Sequence, residues 1–196
     1  MSTAALAFDR MTFDEFLAFE AEAEGKHEFT GGCIYAMGGA SDRHNIVSVN
    51  FLAAFHAHLR GGPCRPYGSD MALHVHTKDE DRLYYPDVAV YCDPTDNNRL
   101  FRERPVLLVE IASPSTERMD RSEKFDAYRE IGTLEEYAVV QCETPRIELY
   151  RRADDWQRTV TRIRDDARFD SIDLTIPMRT LYEGVDYLNQ TSRSQP

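Results

Sequence analysis

Two carboxylates stand in this sequence where carboxylates are costly. Asp87 follows Tyr84-Tyr85-Pro86 and opens the run Val88-Ala89-Val90, and Glu110 lies inside Pro105-Val106-Leu107-Leu108-Val109-Glu110-Ile111. Both runs are short, apolar and rich in β-branched residues, so they read as buried strands. A charge inside such a run usually has a partner, a metal or a chemical task. A period of two puts Val106, Leu108, Glu110 and Ala112 on one face, and Asp87, Ala89 and Tyr91 on one face of the other run. If the strands are neighbours, Asp87 and Glu110 meet at one end of a sheet. Two converging oxygen donors suit a hard divalent cation such as magnesium, which keeps several waters and takes few protein carboxylates.

The elements around these residues can be read in order. Thr12 followed by Glu15 has capping-box spacing and predicts a helix over Met11 to Glu22. Lys26 to Met37, broken by Gly31-Gly32, predicts a two-stranded hairpin, with Glu28 ahead of the turn as a surface carboxylate on its residue type alone. Ser41 or Asp42 caps a helix from His44 to Leu59, with an apolar stripe through Ile46, Val49, Asn50, Ala53, Ala54 and Ala57 widened by Leu52, Phe55 and Leu59. His44 reads as a capping or hydrogen-bonding residue at its start. Met71, Leu73 and Val75 alternate with His74 and His76 along a strand. Without a third ligand at a recognisable spacing, that histidine pair reads as an exposed strand face.

Thr77 to Arg82 is a charged turn, and Cys92 to Arg104 a polar connector expected to be mobile and near the Asp87 site. A helix from roughly Met119 to Ile131 carries Arg121, Lys124 and Tyr128 on one side, and Glu136 to Val140 is the next strand. Strand, helix, strand implies a crossover between parallel strands, with Lys124 on the helix that covers the sheet. Taken alone, a lysine on an amphipathic helix faces solvent. Two arginine-rich strands, Ile147 to Tyr150 and Trp156 to Ile163, offer either a contact for a phosphate backbone or ordinary edge protection. Thr175-Ile176 is a last short strand before a helix over Pro177 to Tyr182.

Pro86-Asp87, Glu110-Ile111-Ala112-Ser113-Pro114-Ser115 and the spacing Asp120, Lys124, Tyr128 together resemble the active-site core of the restriction-endonuclease-like, PD-(D/E)xK nuclease superfamily, and are most similar to its Uma family. Ala112 stands where the superfamily has its lysine. The Uma-type pattern shares that departure and uses a helix lysine, here Lys124. The resemblance spans roughly Phe13 to Val185. It implies an α+β restriction-endonuclease-like fold, with a central four-stranded mixed sheet flanked by helices and extended by antiparallel strands. It implies phosphodiester hydrolysis in DNA by a metal-dependent endonuclease. In that reading Asp87, Glu110 and the carbonyl of Ile111 hold magnesium or manganese, Lys124 orients water or neutralises phosphate charge, and Tyr128 holds Lys124 or packs against the sheet. Glu28 becomes a candidate accessory acid, His44 matches a family histidine, and Ser113 and Asp120 are supporting groups.

The 196 residues are 42% hydrophobic and 29% charged, which fits a globular domain over 11–188 between tails at 1–10 and 189–196. The apolar runs are too short to cross a bilayer and the N-terminus has no secretory-signal pattern, so a cytoplasmic protein is expected. Cys33, Cys64, Cys92 and Cys142 form no C-x-x-C pair and read as reduced thiols. A formal net charge of -11 runs against a basic DNA-binding surface. It keeps open the alternative of a catalytically inactive nuclease fold that binds nucleic acid or protein. A homodimer is expected if both strands are cut.

Overall fold

Thr12 starts the first helix as its spacing predicts. In this computed structural model, which describes residues 10–112 and 122–186, α1 (Phe13–Glu22) begins with a reciprocal cap. The Thr12 hydroxyl accepts the Glu15 amide, and the Glu15 carboxylate accepts the Thr12 amide. The hairpin of β1 (His27–Thr30) and β2 (Cys33–Ala36) turns through Gly31 and Gly32 at φ values of 57° and 83°. Two successive positive φ values are what a type I′ two-residue hairpin turn demands, and glycine adopts them without strain. In α2 (Asp42–Leu59) the Ser41 hydroxyl accepts the His44 amide. The buried column is Val47, Phe51 and Phe55, not the stripe through Ile46 and Val49, and Val49 is 57% exposed. The aromatic rings decide the rotation, because Phe51 and Phe55 carry the most apolar area and both pack against Phe169.

The chain continues through β3 (Arg65–Gly68), β4 (Ala72–His76), β5 (Asp81–Tyr84), β6 (Val88–Tyr91), β7 (Phe101–Arg102) and β8 (Pro105–Ala112). Then come α3 (Glu123–Arg129), β9 (Glu136–Gln141), β10 (Arg146–Arg151), β11 (Arg158–Arg162), β12 (Asp166–Phe169), β13 (Leu174–Pro177) and α4 (Met178–Leu181). The main sheet has six strands, in the order β11-β10-β9-β8-β6-β3, with β10, β11 and β3 added antiparallel as expected. β8 and β9 are parallel while β6 runs antiparallel to β8, so the sheet is mixed. A second, five-stranded sheet runs β2-β1-β5-β4-β7, and β12 pairs with β13.

Strand alternation sorts side chains into three apolar clusters. Val88, Val90, Leu107 and Val109 pack beneath α2 with Val47, Phe51 and Phe55. On the opposite face, Ala89, Leu108 and Ala112 meet Ala127 and Tyr128 of α3 together with Leu73, Val75 and Tyr84 of the second sheet. The far face of that second sheet, with Phe29, Ala72 and Leu83, packs on Phe16 of α1.

Several expectations need correcting. Cys64 and Cys92 are disulfide-bonded across a sequence separation of 28, not reduced. The antiparallel register pairing Arg65 with Tyr91 sets them opposite one another, which linear spacing does not reveal. The Cys92 to Arg104 connector leaves β6 at the end away from Asp87 and is tied down. The buried Asp96 carboxylate accepts the Glu103 and Arg104 amides, and Phe101–Arg102 pairs with β4. α3 begins at Glu123 within the described residues. β3 escaped the sequence reading because Pro66 and Gly68 lie in it, which an edge strand tolerates. Among the arginines, Arg146 and Arg158 pair with the buried Glu148, Arg151 with Glu136, and Arg152 caps the Leu134 and Ile131 carbonyls. Those four serve the fold.

Candidate active site

Glu110 sits near the end of β8 on the same face as Leu108 and Ala112, as the period of two requires, and is 4% exposed. Its Oε1 accepts the Tyr128 hydroxyl at 2.8 Å and the Lys124 amine at 3.2 Å. Lys124 and Tyr128 are one turn apart on α3, so a single helix face delivers both. Lys124 Nζ also lies 2.9 Å from Glu28 Oε1, a coulombic contact without hydrogen-bond alignment. The Tyr84 ring lies 5.4 Å from the same amine and meets Tyr128 edge-on. Glu28 and Tyr84 come from adjacent strands of the second sheet, on the face away from α1. The site is therefore built where two sheets and α3 converge.

Burial gives this cluster its electrostatic character. Lys124 is 7% exposed and Tyr128 fully buried. Two carboxylates share one ammonium, so the amine is fixed by charge on both sides. Burial, reinforced by the Glu110 charge, holds the Tyr128 phenol well above its ordinary pKa. Tyr128 is therefore a hydroxyl donor to Glu110 throughout the neutral range.

Asp87 is placed differently. The pairing of Val88 with Val109 sets Asp87 level with Glu110 on the neighbouring strand. Its Oδ2 accepts the Ile111 amide at 2.7 Å, and its Oδ1 lies 3.2 Å from His44 Nε2. Asp87 precedes the regular part of β6, and its contacts run toward α2 instead of following Ala89 and Tyr91 toward α3. Of the residues singled out in the sequence, Glu110, Lys124, Tyr128 and Glu28 form one contact cluster. Asp87, Ile111 and His44 form a second at the adjoining strand position. Ser41, not His44, caps α2; the His44 amide donates to the Ser41 hydroxyl while its ring meets Asp87. Tyr84 is the neighbour that sequence reasoning passed over, because only the pairing of β1 with β5 sets it beside Glu28. Ser113, Asp120 and Arg121 lie outside the described residues.

Among the described residues, one group of three histidine, cysteine or acidic side chains has ligand atoms within 4.8 Å of one another, and it is His74, His76 and Asp81. Asp87, Glu110 and Glu28 are not in it. The sequence offered no third ligand for the histidine pair because Asp81 arrives from across the hairpin, paired with His76. Asp87 and Glu110 are both oxygen donors of the kind a hard cation takes, and they stand at paired positions on neighbouring strands.

The fold defines a class. It superposes on the crystal structure of a "putative nuclease belonging to DUF820" from Anabaena variabilis with a TM-score of 0.73, covering 88% of this chain and 97% of that one at 16% identity. At that identity the likeness establishes the nuclease-like fold. The chain itself belongs to the Uma2 family, described as "putative restriction endonuclease", whose model matches residues 13–181. Relatives from Synechocystis sp. include the uncharacterized protein slr1290, 35% identical over 92% of this chain and 95% of its own length. Another is the uncharacterized protein sll1609, 31% identical over 78% of this chain and 87% of its own. Within the described residues no helix is long and apolar enough to cross a membrane.

Proposed function

We propose that this protein is a divalent-metal-dependent endonuclease that hydrolyses phosphodiester bonds in DNA. One observation carries the reading: a glutamate buried inside a strand is gripped by a lysine and a tyrosine from the covering helix, with an aspartate at the paired position of the neighbouring strand. Asp87, Glu110 and the Ile111 carbonyl would hold magnesium or manganese. A bound cation supplies Lewis acidity toward a phosphate oxygen and makes water a better nucleophile near neutral pH.

The chain's own groups have separate parts in this reading. Lys124 places a positive charge beside the carboxylates and offsets negative charge that builds on the phosphate. Glu28 anchors that amine, Tyr128 orients Glu110 by donating its proton, and His44 together with the Ile111 amide fixes the Asp87 carboxylate. Cutting both strands takes two such centres, which a two-fold pair of chains would bring together.

A second reading, a nuclease fold that binds without turnover, has its own support. The Lys124 amine lies between two carboxylates in a chain of net charge -11. Purified protein incubated with supercoiled plasmid and manganese, beside Asp87→Ala, separates the two. The endonuclease reading expects metal-dependent nicking that the variant loses. Retention of intact plasmid over a range of salt, with DNA still bound, would favour the binding reading.

A further inference from the structure

The hairpin of β4 and β5 gathers a separate set of ligand-type side chains. Along β4, His74 and His76 share a face, and the register pairing His76 with Asp81 puts Asp81 on that face too. Ala72 and Leu83, their neighbours on it, pack toward α1, whereas Leu73, Val75 and Tyr84 on the reverse side pack toward α3. The three side chains therefore lie across the second sheet from Lys124 and Glu110. His74 Nε2 and His76 Nδ1 approach the same Asp81 oxygen, at 2.9 and 2.7 Å.

His74 is also held from behind. Its other nitrogen, Nδ1, lies 2.8 Å from Glu103 Oε1. Its ring lies flat on Phe13, with centroids 4.1 Å apart and planes 11° from parallel, and Phe101 meets it edge-on. A carboxylate on the far nitrogen is the partner that fixes the tautomer and orientation of a metal-binding imidazole. Two imidazole nitrogens with one carboxylate oxygen suit zinc and its neighbours, with a position left for water, while magnesium prefers oxygen throughout.

We infer that His74, His76 and Asp81 form a binding site for one divalent transition ion of the zinc class, with Glu103 and Phe13 setting the His74 ring. Ligand atoms around tetrahedral zinc stand roughly 3.3 Å apart, so the three groups need to spread only slightly. The ion ties β4 to β5, the strand that leads through Tyr84 to Asp87, and so clips together elements that carry the candidate active site. The inference does not rest on nuclease activity.

The test is a titration of metal-free full-length protein with Zn2+ by calorimetry and with Co2+ by visible spectroscopy, beside His76→Ala and Glu110→Gln. The site predicts one saturable equivalent, a cobalt spectrum without thiolate charge transfer, and a melting temperature raised by zinc. His76→Ala should weaken binding at least tenfold and abolish the zinc-induced rise, whereas Glu110→Gln should keep both. The His76 side chain is 79% exposed, so its removal should leave the metal-free melting temperature unchanged. Absence of saturable binding, binding unaltered by His76→Ala, or binding lost instead with Glu110→Gln would each overturn the inference.

Discussion

Lys124 shows how much a single side chain depends on its surroundings. By sequence it is one lysine on a short helix; in the fold its amine is enclosed by Glu110, Glu28 and the Tyr84 ring. Lys124→Met would strand two carboxylates, one of them nearly fully buried, and breaking such a pair typically costs about 3–5 kcal/mol. Urea unfolding should show a loss of that order, and a loss near that of a surface substitution would mean the cluster is loosely solvated. Tyr128 makes a pH-dependent prediction. Its pKa is raised in the folded chain, so its contribution is complete below the ordinary phenol value of 10.0 and fades as pH rises beyond it. Stability measured between neutral and strongly alkaline pH should fall more steeply for the native chain than for Tyr128→Phe. Equal slopes would contradict the assignment. The pairing of Asp87 with Glu110 across neighbouring strands was legible from two apolar runs. That Asp87 contacts His44 and the Ile111 amide was not, because it depends on where the strand begins.

At the scale of elements, caps and turns were the most legible features, since their signals are local. Thr12 with Glu15, Ser41 and Gly31-Gly32 all appear where their chemistry puts them. The rotation of α2 was harder. Small residues at 53, 54 and 57 widened the apparent stripe, and only packing against Phe169 chooses the Val47, Phe51, Phe55 column. Phe51→Ala should therefore cost about 3–5 kcal/mol, as large-to-small core changes do. Val49→Ala should lie within about 0.5 kcal/mol of the native chain. Thermal or denaturant melts of the two variants check this directly, and similar losses at both positions would place the helix in a different rotation. The His74, His76 and Asp81 group shows the same limit: ligands joined by strand register have no linear spacing to recognise.

For the whole molecule, the fold class follows from features spread along the chain, whereas its long-range closures do not. The parallel β8–β9 pair was readable from the strand, helix, strand order. The second sheet, which carries Glu28 and Tyr84 to the site, was not, because β7 (Phe101–Arg102) is very short and β5 (Asp81–Tyr84) overlaps the charged stretch that reads as a turn. The Cys64–Cys92 bond is a closure of this kind. By the loop-entropy argument for a span of 28 residues, the double variant Cys64→Ser, Cys92→Ser should lose about 3.5 kcal/mol relative to the oxidised chain. Reductant should lower the stability of the native chain but leave that variant unchanged, and a native chain insensitive to reductant would mean that the bond does not hold the fold.

If Glu110 belongs to a hydrolytic centre, Glu110→Gln should silence it with the least change of shape. The rate at which each protein converts supercoiled plasmid to nicked circles, with manganese present and again after chelation, is the deciding measurement. A hydrolytic Glu110 means nicking by the native chain that chelation stops, and at least a hundredfold loss in a folded Glu110→Gln variant, the scale on which removing one charge-stabilising group acts. Equal rates for the two proteins, or nicking that survives chelation, would contradict it.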